Sequence, residues 1–339
     1  MSEPAASPRK TVVLALGGNA IIKPGEKGTI TQQFANTRQA LKGAAGLIRK
    51  GYGLVITHGN GPQVGNSLLR VEAVSDRIPE IPLGVLVADT EGGMGYMIQQ
   101  SLHNMLWLEK IRKPVVTIVT QIVVDRHDPR LKKPVKPIGP FFSVAEAKDL
   151  IRRRGWAMKE DSGRGWRRIV ASPLPMRIVE RETIMRLVES GIIVIAAGGG
   201  GIPVVIEPDG RLEGVDVVVD KDLAASILAQ DTRAKILIIT TGVDKLSLNF
   251  NTPQQKDLNS ITVEEAQHYL QEGHFPAGSM GPKIEASIRF LEQGGEQVII
   301  TSPDRVAEAI DGRAGTHIIH GPEPEHRKRS RRMTREVLQ

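Results

Sequence analysis

Residues 192–222, IIVIAAGGGGIPVVIEPDGRLEGVDVVVDKD, decide how the rest of the chain is read. The apolar run 192–197 predicts a buried strand that stops at four successive glycines, 198–201. After a short hairpin-like excursion the chain reaches Asp220-Lys221-Asp222 at the head of a predicted helix. Glycines lack a Cβ, so backbone N–H groups at such a strand end can approach an anion closely, and the lysine that follows can neutralise it. A plain tight turn explains the glycines equally well, so the weight falls on whether the arrangement recurs.

It does recur. Residues 11–16 read as a buried strand that stops at Gly17-Gly18-Asn19; 31–50 have helical apolar spacing closed by Gly51; 54–57 read as a second strand broken by His58-Gly59-Asn60-Gly61-Pro62. Helices are expected over 63–74 and 83–110, the second loosened by Gly92, Gly93 and Gly95, followed by a strand over 114–120. Further on, the spacing predicts helices over 178–190, 222–229 and 281–293, and strands over 235–240, 297–301 and 316–319. Thr262 with Glu265 forms a capping box for a helix ending at Gly273. Single strands alternating with helices imply a parallel sheet covered on both faces, with ligands at the carboxyl ends of its strands. Five small-residue loops, around Gly17, Gly59, Gly92, Gly198 and Gly278, are expected there.

Between about 121 and 175 the texture changes. Repeated prolines and the arginines 152–154, 164, 167 and 168 suit a small inserted lobe, with one helix capped by Ser143 and Glu146 and closed by Gly155. Trp156 and Trp166 read as its core.

Composition narrows the chemistry. At 339 residues the chain can hold one large α/β domain or two smaller ones. It has no cysteine, which excludes disulfides, thiolate metal sites and a cysteine nucleophile and is consistent with a reducing, cytoplasmic setting. The longest nearly uncharged stretch, 192–206, is too short to span a bilayer, so no membrane partner is expected. Of the formal charge of +7, residues 321–339 supply +3, a basic tail read as a solvated terminus, and nucleic acid is not an expected partner. HExxH, GxSxG and the GxxxxGK[ST] loop are absent, and Gly65 falls one residue late for a dinucleotide fingerprint after His58-Gly59-Asn60-Gly61. What remains is a phosphate-rich ligand, best a nucleotide, held by backbone amides and by Lys221 and Lys283, each at a helix start, with Asp222 orienting the ammonium groups. Asp220, Asp222 and Asp244 are candidates for touching a nucleotide-bound Mg²⁺ but serve equally as helix caps.

The stretches LGGNAI (16–21), HGNGPQVGN (58–66), TQIVVDRHDP (120–129), KPIGPF (136–141), GRGWRR (163–168), AAGGGGIPV (196–204), VDKDLAA (219–225), TGVDK (241–245), NFNTPQQ (249–255) and AGSMGPKI (277–284) together resemble the carbamate kinases of the amino-acid kinase superfamily. The resemblance runs from about 11 to 319. It implies a three-layer αβα sandwich around a mainly parallel sheet with a small inserted lobe, a catalytic domain over 11–320, and a cytoplasmic homodimer that transfers phosphate reversibly between ATP and carbamate with Mg²⁺. On these residues it implies Lys136, reaching in from the lobe, as a catalytic group with Lys221, Asp222 and Lys283. Gly17, Gly18, Asn19, Gly59, Asn60 and Gly61 would hold carbamate or carbamoyl phosphate. Gly199, Gly200, Asp244 and Ala277, Gly278, Ser279 and Met280 would line the ATP/ADP pocket. The direction of the reaction, toward ATP in arginine or purine-derived catabolism or toward carbamoyl phosphate, stays open. A kinase of the same fold for another small acceptor, and a non-catalytic nucleotide or nucleic-acid binder using the tail, are the alternatives.

Overall fold

A computed structural model describes residues 10–321 apart from Pro24, Ser162 and Ala277, with Asn19 described by its backbone alone. The basic tail thus lies, beyond Gly321, outside the described residues. Eight strands among them form the central sheet, in the order Ser260–Thr262, Thr316–Ile319, Gln297–Thr301, Ile236–Thr240, Thr11–Leu16, Gly53–His58, Ile193–Ile195, Val115–Thr117. Neighbours run parallel except where Gln297–Thr301 meets Thr316–Ile319.

The inner strands are apolar over most of their length because successive side chains enter two different cores. Val13, Ala15, Val55 and Leu237 face the helices Arg181–Glu189, Lys221–Asp231, Val263–Gln271 and Gly281–Glu292. Val12, Leu14, Leu54 and Ile238 face Ile30–Arg49 and Leu83–Leu108. This is the expected αβα sandwich. The capping boxes at Ser143 and Thr262 form as their spacing predicts.

Two local expectations change and a third is met. Residues 178–190 are not one helix: Pro175–Ile178 is a strand antiparallel to Gln121–Val124, and the helix begins at Arg181. The excursion after the glycines is a hairpin, Ile202–Ile206 with Leu212–Gly214, in the same four-stranded sheet. The glycines at 92, 93 and 95 neither loosen Leu83–Leu108 nor form a loop; the helix is unbroken, and a Cβ on Gly95 would sit 2.3 Å from Thr117 Cγ2. That glycine is a packing contact between helix and edge strand. The hairpin Leu246–Leu248 with Lys256–Leu258 and the strand Ser260–Thr262, three residues each, were too short for periodicity to reveal.

Beyond Gln121–Val124, which pairs with Ile202–Ile206, the chain builds a three-stranded sheet from Lys136–Phe142, Trp166–Val170 and Met158–Glu160, with the helix Val144–Arg154 against it. Trp156 is buried there, edge-on to Phe142 and beneath Arg168, while Trp166 is half-buried. The strand Lys136–Phe142 lies directly on the helix Gly61–Ala73. A Cβ on Gly65 would come within 2.0 Å of the Gly139 Cα, so the two backbones touch.

Candidate active site

Because Thr11–Leu16, Gly53–His58, Ile193–Ile195 and Ile236–Thr240 are parallel, their carboxyl ends open along one edge of the sheet. The loops that follow, at Gly17, Gly59, Gly198 and Thr241, therefore converge on a cleft of about 260 Å³. The Gly17 N–H donates to Thr240 Oγ1 (2.9 Å) and the Gly59 N–H to the Leu16 carbonyl (3.2 Å), which fixes the first two loops against the sheet.

Asp222 is the centre of the charged groups in this cleft. It lies in the first turn of Lys221–Asp231, where Asp220 is the N-cap and accepts the Asp222 N–H at 2.9 Å. Lys221 Nζ donates to Asp222 Oδ1 at 2.5 Å, and Lys283 Nζ, from the first turn of Gly281–Glu292, donates to Oδ2 at 2.8 Å. The Asp222 side chain is only 4% exposed. Burial pushes its carboxyl up, but the two ammonium groups outweigh burial and hold it below the ordinary carboxylate range. Burial lowers the Lys221 pKa, and the nearby Lys283 lowers it further against the pull of Asp222. Burial also pulls Lys283 down, yet Asp222 more than offsets it and the net shift is upward. One carboxylate thus holds two cations at the rim of a glycine-lined cleft, an arrangement suited to a multiply charged anion.

Lys136, at the start of the lobe strand, comes from the opposite side and pairs with Asp220. Burial raises the Asp220 carboxyl and Lys136 lowers it, with a net downward shift. Each of the three lysines expected at the site is therefore matched to a carboxylate at the head of one helix. Asp220 as the partner of Lys136 was not legible from the sequence, since the two are 84 residues apart.

Beneath the glycine turn lies a buried polar layer. Ala197, at φ 52°, has its carbonyl bonded by Thr57 Oγ1 (2.8 Å) and its N–H donating to Thr120 Oγ1 (3.0 Å). The Thr120 N–H donates to Glu91 Oε2 at 2.8 Å. Burial pushes the Glu91 carboxyl up to about 9, so it is a neutral acid at neutral pH. Burial lowers His58, beside Gly198, to about 4, which leaves its ring uncharged at neutral pH. Gly199, at φ 69°, passes so close to Asn60 that a Cβ would lie 2.1 Å from Nδ2, while Nδ2 itself donates to Thr90 Oγ1 (2.8 Å). Sequence reasoning singled out neither Glu91 nor Thr120, because each acts through contacts remote in the chain.

Of the residues expected at the site, Gly17, Gly18, Gly59, Asn60 and Gly61 line the cleft with the four charged catalytic candidates. Gly199, Gly278 and Ser279 line it as well. Gly200 stands behind, against the Val219 carbonyl, and Met280 packs toward the core. Asp244 borders a neighbouring cavity of about 340 Å³ with Phe250, Arg305 and Arg313, and accepts from Ser302 Oγ. Ala277 lies outside the described residues, as does the Asn19 side chain. For a metal, Asp220 and Asp222 are already engaged by lysines, and among the described residues no group of three or more His, Asp or Glu side chains could hold an ion.

The model of the amino acid kinase family matches residues 10–302. The carbamate kinase of Pyrococcus horikoshii is 51% identical over 309 residues, which cover 91% of this chain and 98% of that relative. Among solved structures, carbamate kinase from Giardia lamblia bound to citric acid is similar with a TM-score of 0.88 at 41% identity, over 92% of this chain and 99% of that one. The Giardia lamblia carbamate kinase bound to AMP-PNP gives a TM-score of 0.84 at 41% identity over the same shares.

Proposed function

The chain belongs to the amino acid kinase family and, within it, to the carbamate kinases, and on that premise we propose that it transfers a phosphoryl group reversibly between ATP and carbamate. A carbamate oxygen attacks the γ-phosphorus, the bond from that phosphorus to the β,γ-bridging oxygen breaks, and ADP leaves with that oxygen. The nucleophile is already an anion, so no base has to remove a proton. This agrees with a cleft whose three aspartates, Asp161, Asp220 and Asp222, are all ion-paired. Charge neutralisation and in-line positioning are the protein's task.

The observation that carries the reading is Asp222 holding Lys221 and Lys283 on its two oxygens across the cleft from Lys136. In this reading the three lysines neutralise the transferring phosphoryl group, Lys221 and Lys283 from the sheet and Lys136 from the lobe. Asp222 orients the first two. The loops at Gly17, Gly18 and Asn19 and at Gly59, Asn60 and Gly61 hold carbamate or carbamoyl phosphate. The nucleotide lies along Gly199, Gly278 and Ser279 toward Asp244, a path supported by Thr241 and Pro303, which also line the cleft. Mg²⁺ would enter with the nucleotide, held by its phosphates and water, since the protein offers no free carboxylate cluster among the described residues. Closure of the lobe over substrate belongs to the same proposal.

The enzyme is read as a cytoplasmic homodimer. Trp107 and Leu108, 62% and 82% exposed, lie at the end of the helix that packs on the edge strand Val115–Thr117, and support pairing through that edge. The test of activity is ATP formation from ADP and carbamoyl phosphate with Mg²⁺. Wild-type protein that forms no ATP there, or forms it as well from acetyl phosphate, would overturn carbamate as the acceptor.

A further inference from the structure

The arginines of GRGWRR (163–168) have no part in the reading above. Arg164 and Arg167 line the cleft from the lobe side, and Arg167 is the more deeply set, its side chain 12% exposed against 54% for Arg164. Three contacts fix the Arg167 guanidinium. Nε donates to the Gly139 carbonyl (3.1 Å), Nη1 donates to Asp161 Oδ2 (3.1 Å), and the group lies over the Phe141 ring at 5.1 Å.

Its remaining nitrogen is the one nearest the glycine loop: a Cβ built on Gly61 would lie 3.8 Å from Nη2. A Cβ built on Gly59 would instead meet Lys221, 2.9 Å from its Cδ. The three-residue loop 59–61 therefore has an ammonium stem at one end and a guanidinium at the other. Gly61 also opens the helix Gly61–Ala73, whose N-cap Asn60 makes no side-chain cap, so first-turn N–H groups remain for an anion at the Arg167 end.

The two cations differ in kind. An ammonium is a point charge, whereas a guanidinium is a planar fork that can pair with two oxygens at once, those of a carboxyl group as well as those of a phosphate. Position therefore decides: Lys221 and Lys283 gather at Asp222 on the Gly59 side, which leaves Arg167 at Gly61 for the other, planar end of the substrate. Resting on the carbamate kinase reading, we propose that Arg167 binds the planar carbamoyl end of the substrate over Gly61, with Asp161 as the residue that positions its guanidinium. The phosphorus then lies toward Gly59, among Lys221, Lys283 and Lys136. The acceptor thus has a fixed orientation along the loop, acyl group outward and phosphorus inward.

The experiment measures initial rates of ATP formation from ADP and carbamoyl phosphate for wild type, Arg167→Lys, Arg167→Ala and Asp161→Asn. Loss of a charge-assisted hydrogen bond raises the KM for carbamoyl phosphate about tenfold to a hundredfold in both Arg167 variants. The KM for ADP stays within about threefold. Asp161→Asn gives a smaller rise in the same constant. A lobe brace with no substrate contact would lower kcat or stability and leave the two KM values unchanged or raised together. Circular dichroism checks folding, and if Arg167→Ala does not fold, Arg167→Lys decides. A folded Arg167→Lys with KM for carbamoyl phosphate within about twofold of wild type, or with a parallel rise for ADP, overturns the assignment. Wild type that makes no ATP overturns the functional reading itself, and this assignment with it.

Discussion

Replacing Asp222 by Asn keeps the shape of the side chain but removes the one charge that both Lys221 and Lys283 share. Two ammonium groups, each with a side chain 12% exposed, are then left facing one another, with only Asp220, itself paired with Lys136, to offset them. Breaking a buried ion pair by removing one partner costs roughly 3–5 kcal/mol. Unfolding entropy near 2.1 cal/mol/K per residue over 339 residues is about 0.7 kcal/mol/K, so about 4 kcal/mol lowers the melting temperature by about 6 °C. Lys283→Ala is the informative contrast. It leaves Asp222 paired with Lys221 and relieves the repulsion between the two lysines, so it should cost about 1 kcal/mol or less, under about 2 °C. Its turnover should nonetheless fall by roughly two to three orders of magnitude, the scale of losing one charge-stabilising donor. Asp222 has a lowered pKa, so its contribution is present above the unfolded value of about 4 and is lost as pH falls through the lower folded value. The gap between wild type and Asp222→Asn should therefore hold from neutral pH down to about pH 4 and close only below it. Thermal unfolding of the three proteins without nucleotide, across that range, is the assay. If Lys283→Ala loses as much stability as Asp222→Asn, or Asp222→Asn melts within about 1 °C of wild type, the idea that one carboxylate supports both cations is wrong.

Lys136→Ala should lower kcat by about a hundredfold while the melting temperature moves by less than about 2 °C, because the Lys136 side chain is 28% exposed and its pair with Asp220 is partly hydrated; steady-state rates and a melting curve check both. Glu91 has its pKa raised to about 9, so the folded state binds a proton that the unfolded chain has lost, and wild-type stability should fall as pH rises from about 4.5 to about 9. Glu91→Gln, which stays neutral, should flatten that slope; a slope unchanged in the variant would show that other groups set it. Gly199→Ala puts a Cβ into Asn60 at a backbone φ of 69°, and should cost about 2–3 kcal/mol in stability as well as activity, read by denaturant unfolding beside the rate assay.

How much of this was legible from the chain depends on how local each signal is. The sandwich followed from continuous apolar strands such as Thr11–Leu16 and Ile236–Thr240, whose two buried faces leave no alternation to misread. Lys221, Asp222 and Lys283 carried their own address, each in the first turn of a helix. Lys136 sits in a lobe strand with no such mark, and only the family resemblance picked it out. The Asp220 partner, the Glu91–Thr120 bond and the position of Arg167 over the 59–61 loop all join residues brought together by tertiary folding, which a linear pattern does not encode. Gly95 misled for the opposite reason: a close approach of helix to strand leaves the same trace in the sequence as a flexible joint.

The backbone contact between Gly65 and Gly139 has a consequence that belongs to genetics rather than to chemistry. Every missense change in a glycine codon adds at least one carbon, and at residue 65 that carbon has nowhere to go but into the Gly139 backbone, since two main chains cannot step aside as a flexible side chain can. The helix and the lobe strand would have to separate, carrying Lys136 and Arg167 away from the sheet together. Residue 65 is thus a codon at which the smallest possible lesion acts at a distance, and an allele such as Gly65→Ala is expected to show lowered activity in a protein whose proposed catalytic residues are all intact.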